Sequence, residues 1–350
     1  MKKSLVFLAA LATVGSAFAQ SNVTVYGLVD LGLRQTSGAS SSGVAIVKGG
    51  NDALQMDKNH SSRFGFKGEE DLGGGLKASF QFESQFLTDT GALKTSTLMF
   101  ERQANVGLSG GFGTVKLGRT KGLVDDIAGW PLTDPFNNDG VIGDTTTTVV
   151  RAGVSQSRVS NAITYFSPAF SGFKAQAQYI LSEVKDLDAG VEFALLYEDG
   201  PVALHAAYER PVQTAAGATP TVAEMNTKPE MYTFGGGYTF GAAKVTAAYF
   251  SGDPKTYLAP GKTDPGYGKN AGFLVGLNYT IGGGDAKVVY AKLKNDKNDL
   301  AKVFGIGYDY HLSKRTDVYA YLGTSDLPTV ADATKTATVN AYQLGVAHKF

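Results

Sequence analysis

The chain has 350 residues, 32 basic and 32 acidic, with 4 His and no Cys. The missing thiols exclude disulfides and thiolate metal sites, and the even charge gives no warrant for a nucleic-acid partner. Gly is abundant at 44 residues, Tyr and Phe contribute 17 and 20, and no stretch past Ala19 reaches the length of a helical membrane span.

Met1–Ala19 reads as a signal peptide. Lys2 and Lys3 form a positive start, Leu5 to Val14 an apolar run too short to span hydrocarbon, and Ala17-Phe18-Ala19 an A-x-A cleavage signal. The mature chain is expected to begin at Gln20. Losing Lys2 and Lys3 leaves it slightly acidic, with a net charge of about −2. Its length suggests two domains, but a single large barrel breaks that rule routinely.

The first predicted strand is Asn22–Gln35. Val23, Val25, Val29, Leu31 and Leu33 share a face with Gly27, and Thr24, Tyr26, Asp30 and Arg34 lie opposite. A Ser/Gly-rich loop runs to about Asn59. Ser62–Phe82 then supplies the pattern that recurs through the chain. Arg63, Gly65, Lys67 and Glu69 alternate with Phe64 and Phe66. A Gly-rich turn at Asp71–Gly75 follows, and Leu76, Ala78, Phe80 and Phe82 alternate with polar partners. Two period-two runs joined by a short Gly turn predict a β-hairpin, with arms long enough to cross a membrane as tilted strands.

Further runs follow at Leu98–Leu108 and Thr114–Arg119, at Asn161–Phe166 and Phe173–Ile180, and at Val191–Glu198 and Val202–Arg210. The series continues with Tyr232–Tyr238 and Lys244–Phe250, Ala271–Thr280 and Ala286–Lys294, and Lys302–Tyr310 and Asp317–Gly323. It ends on Val339–Phe350, with Tyr342, Leu344, Val346 and Phe350 on one face. About sixteen strands result, joined alternately by short Gly/Asp/Pro turns and by longer loops. An even strand count with that asymmetry predicts an all-β, transmembrane, antiparallel barrel whose apolar faces meet lipid. A soluble propeller would carry a recurring blade signature, and none is found.

The segments SRFGFKGEEDLGGGLKASFQFE, FERQANVGLSGGFGTVKLGR (Phe100–Arg119), NVTVYGLVD and YQLGVAHKF resemble the Gram-negative general-diffusion porins along the whole mature chain. The resemblance implies a homotrimer of 16-stranded barrels in the outer membrane, embedded in lipid and lipopolysaccharide. Each barrel would pass small hydrophilic solutes and ions, without a cofactor. It also implies an inward-folded third loop, here about 120–157, and a terminal Phe350 read by the barrel-insertion machinery.

On that loop, Asp126 and Asp134 match the family's acidic positions, whereas Phe136 replaces the Glu that usually follows the Pro, and Asn137 and Asn138 replace its two Gly. Arg63 and Arg102 match the basic ladder on the opposite wall, and Arg151 or Arg158 continues it. Tyr26 and Lys67 are expected to line the pore beside them. Arg63 agrees with its strand's phase. Arg102 does not, since it alternates with Phe100, Ala104, Val106 and Leu108. A charge facing lipid costs roughly 2–4 kcal/mol, so Arg102 is expected inward and Gln103, Asn105 and Gly107 toward a neighbouring strand or subunit. The constriction balance is about +1, which predicts weak anion preference.

Two alternatives remain open. One is the same barrel tuned to a phosphate, nucleotide or dicarboxylate. The other is a barrel hydrolase, which needs a nucleophile beside a base. His60, His205, His311 and His348 show no such pairing, and no two have metal-ligand spacing on one face.

Overall fold

The computed structural model of the chain describes residues 22–37, 53–128, 135–136, 156–185, 187–212, 230–253, 269–295, 299–328 and 336–350. The predicted signal peptide, Arg151 and Asp134 lie outside them. The elements in chain order are β1 (Asn22–Ser37), β2 (Leu54–Asp57), β3 (Arg63–Gly73), β4 (Leu76–Gln85), β5 (Gln103–Gly110), β6 (Gly113–Lys121) and a short helix α1 (Leu123–Ala128). After it come β7 (Arg158–Phe166), β8 (Phe173–Ile180), β9 (Gly190–Asp199), β10 (Val202–Arg210), β11 (Met231–Phe240) and β12 (Ala243–Gly252). The last are β13 (Asn270–Ile281), β14 (Gly284–Lys294), β15 (Asp299–Ser313), β16 (Thr316–Pro328) and β17 (Thr336–Lys349).

Every neighbouring pair is antiparallel, and β1 closes the sheet by pairing with β17 on one side and with β2 and β3 on the other. β2 and β3 are two lengths of one barrel strand, so the barrel has sixteen strands. Between them Lys58–Ser62 make an excursion opposite Val29–Leu31. Closure leaves no edge for hydrocarbon to strand, which is why strands alone can cross here. The outer face carries the expected apolar positions. Val23, Val25, Leu33, Phe66, Val106, Tyr342, Leu344 and Val346 are all exposed.

The β3–β4 turn shows why Gly is needed there. Gly73, Gly74 and Gly75 all have positive φ, a region costly for other residues, and Gly73 N–H donates to Asp71 Oδ1 at 2.9 Å. One strand start differs from expectation. β5 begins at Gln103 rather than Leu98, because Glu101 and Arg102 turn back to bond β4. Gln85 N–H donates to Glu101 Oε1 at 2.9 Å, and Arg102 N–H to the Glu83 carbonyl at 3.2 Å.

Closure at the terminus rests on Gly27 and Phe350. They exchange both backbone hydrogen bonds, at 3.0 and 3.1 Å, and the Phe350 ring lies over Gly27 where a Cβ has no room. Deleting Phe350 removes two bonds of about 1 kcal/mol each together with the ring contact. A lower yield of heat-modifiable barrel is the expected result. Wild-type yield and melting would show that β17 closes without its last residue.

Candidate functional site

The lumen faces of β1, β3, β4 and the start of β5 bring charged side chains together around Glu83, which is 7 % exposed. Arg102 Nε donates to Glu83 Oε1 at 2.5 Å and Arg102 Nη1 to Gln85 Oε1 at 3.0 Å. Tyr26 O–H donates to Glu83 Oε2 at 3.0 Å and receives Gln81 Nε2–H at 2.7 Å. Arg63 Nε stands 3.9 Å from Glu83 Oε2, and Arg63 Nη1 donates to the Ser61 carbonyl at 2.9 Å. Lys67 places its ammonium 5.2 Å from the centre of the Tyr26 ring. Tyr26, Arg63, Lys67 and Arg102 therefore form one cluster.

Arg102 reaches that cluster for a reason different from the one expected. It precedes β5, so the strand's alternation does not govern it. Gln103, Asn105 and Gly107 stand opposite Glu83, Gln81 and Ser79 and share their face, while Val106 and Leu108 are exposed on the other. They therefore line the lumen and do not face a neighbouring strand or subunit.

A second group lies at the neck of the loop between β6 and β7. Lys121 Nζ is 3.0 Å from Asp126 Oδ1 and 3.9 Å from Asp125 Oδ2, and Arg158 Nη1 is 3.8 Å from Asp125 Oδ2. Of the two aspartates the predicted Asp126 is exposed, and Asp125 is buried between the cations. Lys94, in the 86–102 connection, keeps contact with water but is surrounded by the barrel. That desolvation, and then the charges of Lys58 and Arg102, hold its ammonium below the usual lysine range. Glu83, Asp125 and Lys94 were not singled out in the sequence. Glu83 had a signal there, since it alternates in phase with Lys77, Ser79 and Gln81.

The described parts of the loop, α1 with Pro135 and Phe136, lie inside the barrel. α1 packs against β8, β9, β10 and β11. Pro135 fills the place a side chain at Gly276 on β13 would need. Phe136 is 2 % exposed and meets Tyr321 of β16 edge-on at 5.2 Å, with the Lys287 ammonium of β14 at 5.9 Å from its ring. Tyr321 O–H donates to Asp309 Oδ1 at 2.5 Å, and Asp309 Oδ2 pairs with Lys287 at 2.5 Å. The chain thus leaves the β6–β7 wall and touches the wall at β13–β16.

Its bed is apolar. Leu123, Val124, Ile127 and Phe136 join Leu196, Ala207, Met231, Ala248, Phe250, Leu274, Val289 and Val303 in one buried cluster. Burial at roughly 1.5–3 kcal/mol for each large side chain holds the loop against that wall. The network around Glu83 and the ion pairs at the neck of the loop lie on the β1–β7 side.

Two histidines meet a hydroxyl, His205 that of Thr233 and His348 that of Thr316 (Nδ1 to Oγ1 2.9 Å), and among the described hydrogen bonds neither ring also has a carboxylate to orient it. His60 Nδ1 lies 3.1 Å from Asp30 Oδ2, His205 Nε2 3.5 Å from Thr233 Oγ1, and His311 lies between Asp285 and Asp317. Among the described residues no group of three or more His, Asp or Glu is arranged to hold a metal.

The Gram-negative porin profile matches residues 5–329. The chain belongs to the Gram-negative porin family. This porin is 31 % identical over 402 residues to an outer membrane porin protein of Bordetella pertussis, with all of both chains covered. It is 30 % identical to outer membrane porin protein 32 of Delftia acidovorans, covering 99 % of this chain and 96 % of that one. Among solved structures it resembles an anion-selective porin from Comamonas acidovorans, with TM-score 0.74 and 25 % identity. That match covers 95 % of this chain and all of the other. It is an outer-membrane porin, and its barrel is the fold of that family.

Proposed function

We propose that this porin is a passive, weakly anion-preferring pore for small hydrophilic solutes, narrowed by the 122–157 loop and working as a homotrimer without catalytic activity. The observation that carries the reading is the division of the lumen. The loop covers an apolar wall, and the open side carries Arg63, Arg102, Arg158, Lys58, Lys94 and Lys121 against Glu83, Glu101, Asp125 and Asp126. Facing rows of fixed charge in a water-filled passage orient water and polar solutes, and an apolar solute has to displace that water. A cationic excess in the narrow zone favours anions. The structurally similar Comamonas acidovorans protein is described as anion-selective, which supports the same sign here. Arg151 and Asp134 belong to this proposal by resemblance, as do the signal peptide, lipopolysaccharide contact and recognition of Phe350 by the insertion machinery.

Single-channel recording in asymmetric KCl tests the sign, with a reversal potential on the anion side as the expected outcome and a cation-side value against it. The loop's place is tested at Asp126, which is exposed on α1. With no native Cys, Asp126→Cys labelled by a bulky neutral reagent should cut conductance sharply. Full labelling at unchanged conductance would put α1 outside the conducting path.

A further inference from the structure

Two further carboxylates stand in the lumen wall beside the neck of the loop. Glu192 on β9 and Glu209 on β10 are directly opposite in register, and both have no exposed surface. Like charges so placed repel, and burying them costs more than lining a wall requires. Their oxygens, however, meet the two ends of the loop. Glu192 Oε2 accepts the N–H of Leu123 and, at 3.4 Å, that of Val124. Glu209 Oε1 accepts the N–H of Gln156 at 2.8 Å. Between these ends Gly122 N–H donates to the Ser157 carbonyl at 3.4 Å and draws the neck together.

The N–H groups of Leu123 and Val124 open α1 and have no partner within the helix. The N–H of Gln156 precedes β7 and has none in the ladder. We propose that Glu192 and Glu209 are positioning residues, a pair of pins that accept from both ends of the loop and hold α1 flat on its apolar bed. The strands carrying them pair along their whole length independently of the carboxylates. The pins therefore act on the loop and not on the barrel. The inference rests on the reading that the loop narrows the passage, but the position of the loop can be measured separately.

The test uses the full, detergent-extracted porin carrying Ile127→Cys, a reporter at a position 2 % exposed against the wall. Glu192→Gln with Glu209→Gln keeps carbonyl acceptors and removes charge. Glu192→Ala with Glu209→Ala removes both. The Gln pair is expected to label at the parent rate with parent conductance. The Ala pair is expected to label roughly tenfold faster and to show a noisy open state, with heat resistance of the barrel retained. Parent-like labelling of the Ala pair overturns the proposal, as does a Gln pair that labels as fast as the Ala pair. Glu192→Ala alone replaces the double variant if that one fails to assemble, and failure of both assigns the pair to barrel assembly and sinks the pins. Fast labelling with unchanged conductance upholds the pins and removes the loop from the narrow zone.

Discussion

Replacing Asp30 by Ala should lower the melting point of the folded barrel more than any other single polar change on the closing seam. Its carboxylate is fully buried and accepts from Asn59 N–H at 2.9 Å, His60 N–H at 3.0 Å and Tyr319 O–H at 2.8 Å. Its backbone is clasped by Ser62, whose hydroxyl accepts from Asp30 N–H and donates to the Asp30 carbonyl. Those bonds hold the Lys58–Ser62 excursion, where the ladder between β1 and the β2–β3 strand is interrupted. Ala would strand the buried donors of Asn59 and Tyr319 at about 1–3 kcal/mol each, a loss on the order of 2–6 kcal/mol, and would free the half-buried N–H of His60 besides. Asp30→Asn keeps one acceptor oxygen and should lose less. The measurement is the temperature at which the folded gel band converts to unfolded mobility. An unchanged midpoint for Asp30→Ala would show that the excursion is held by its ladder alone. Because Lys58 opens the excursion and Arg63 follows it, the same variant should also show a disturbed open-channel current.

The hairpin alternation made much of this fold readable. Arg63, Lys67 and Tyr26 were placed on one lumen face because period two leaves no other option between lipid and water. The same rule misdirected Arg102, since an alternation carries information only while the backbone stays extended, and the chain bends at Glu101 and Arg102 to bond β4. The apolar inner wall was hidden for a related reason. β14 carries Val289, Ala291 and Leu293 inward and Val288 and Tyr290 outward, so hydrophobicity has no contrast there. Only contact with Leu123, Val124, Ile127 and Phe136 explains such a lining. Phe136 stood out in the sequence as a departure from the family's loop, but its seat on Tyr321 and Lys287 is a contact between residues far apart in the chain. Glu192 and Glu209 alternate with apolar residues like ordinary lumen positions. Nothing local says that they accept from a loop that begins some seventy residues earlier.

The largest expected effect on function follows the paired substitution Arg63→Gln and Arg102→Gln. In the wild type, the described cluster of Arg63, Arg102, Arg158, Lys58, Lys94 and Lys121 exceeds Glu83, Glu101, Asp125 and Asp126 by two positive charges. The double variant removes that excess and leaves Glu83 without its two arginine partners. A unit charge about 6 Å from a permeating ion in water is worth roughly 0.7 kcal/mol. Two should therefore shift an anion and a cation by about 1.4 kcal/mol each in opposite senses, and move the anion-to-cation permeability ratio by up to about a hundredfold at low salt. The shift should shrink toward 1 M salt, where the screening length falls from about 10 Å to about 3 Å. Glu83→Gln is the matching control, because it frees Arg102 and Arg63 and should move the reversal potential further to the anion side. Its loss of the Tyr26 and Arg102 bonds can loosen the cluster, but a structural loosening alone has no reason to move the two variants in opposite directions. A reversal potential unchanged in the double variant would show that Arg63 and Arg102 are turned into the wall and that ions pass elsewhere in the lumen.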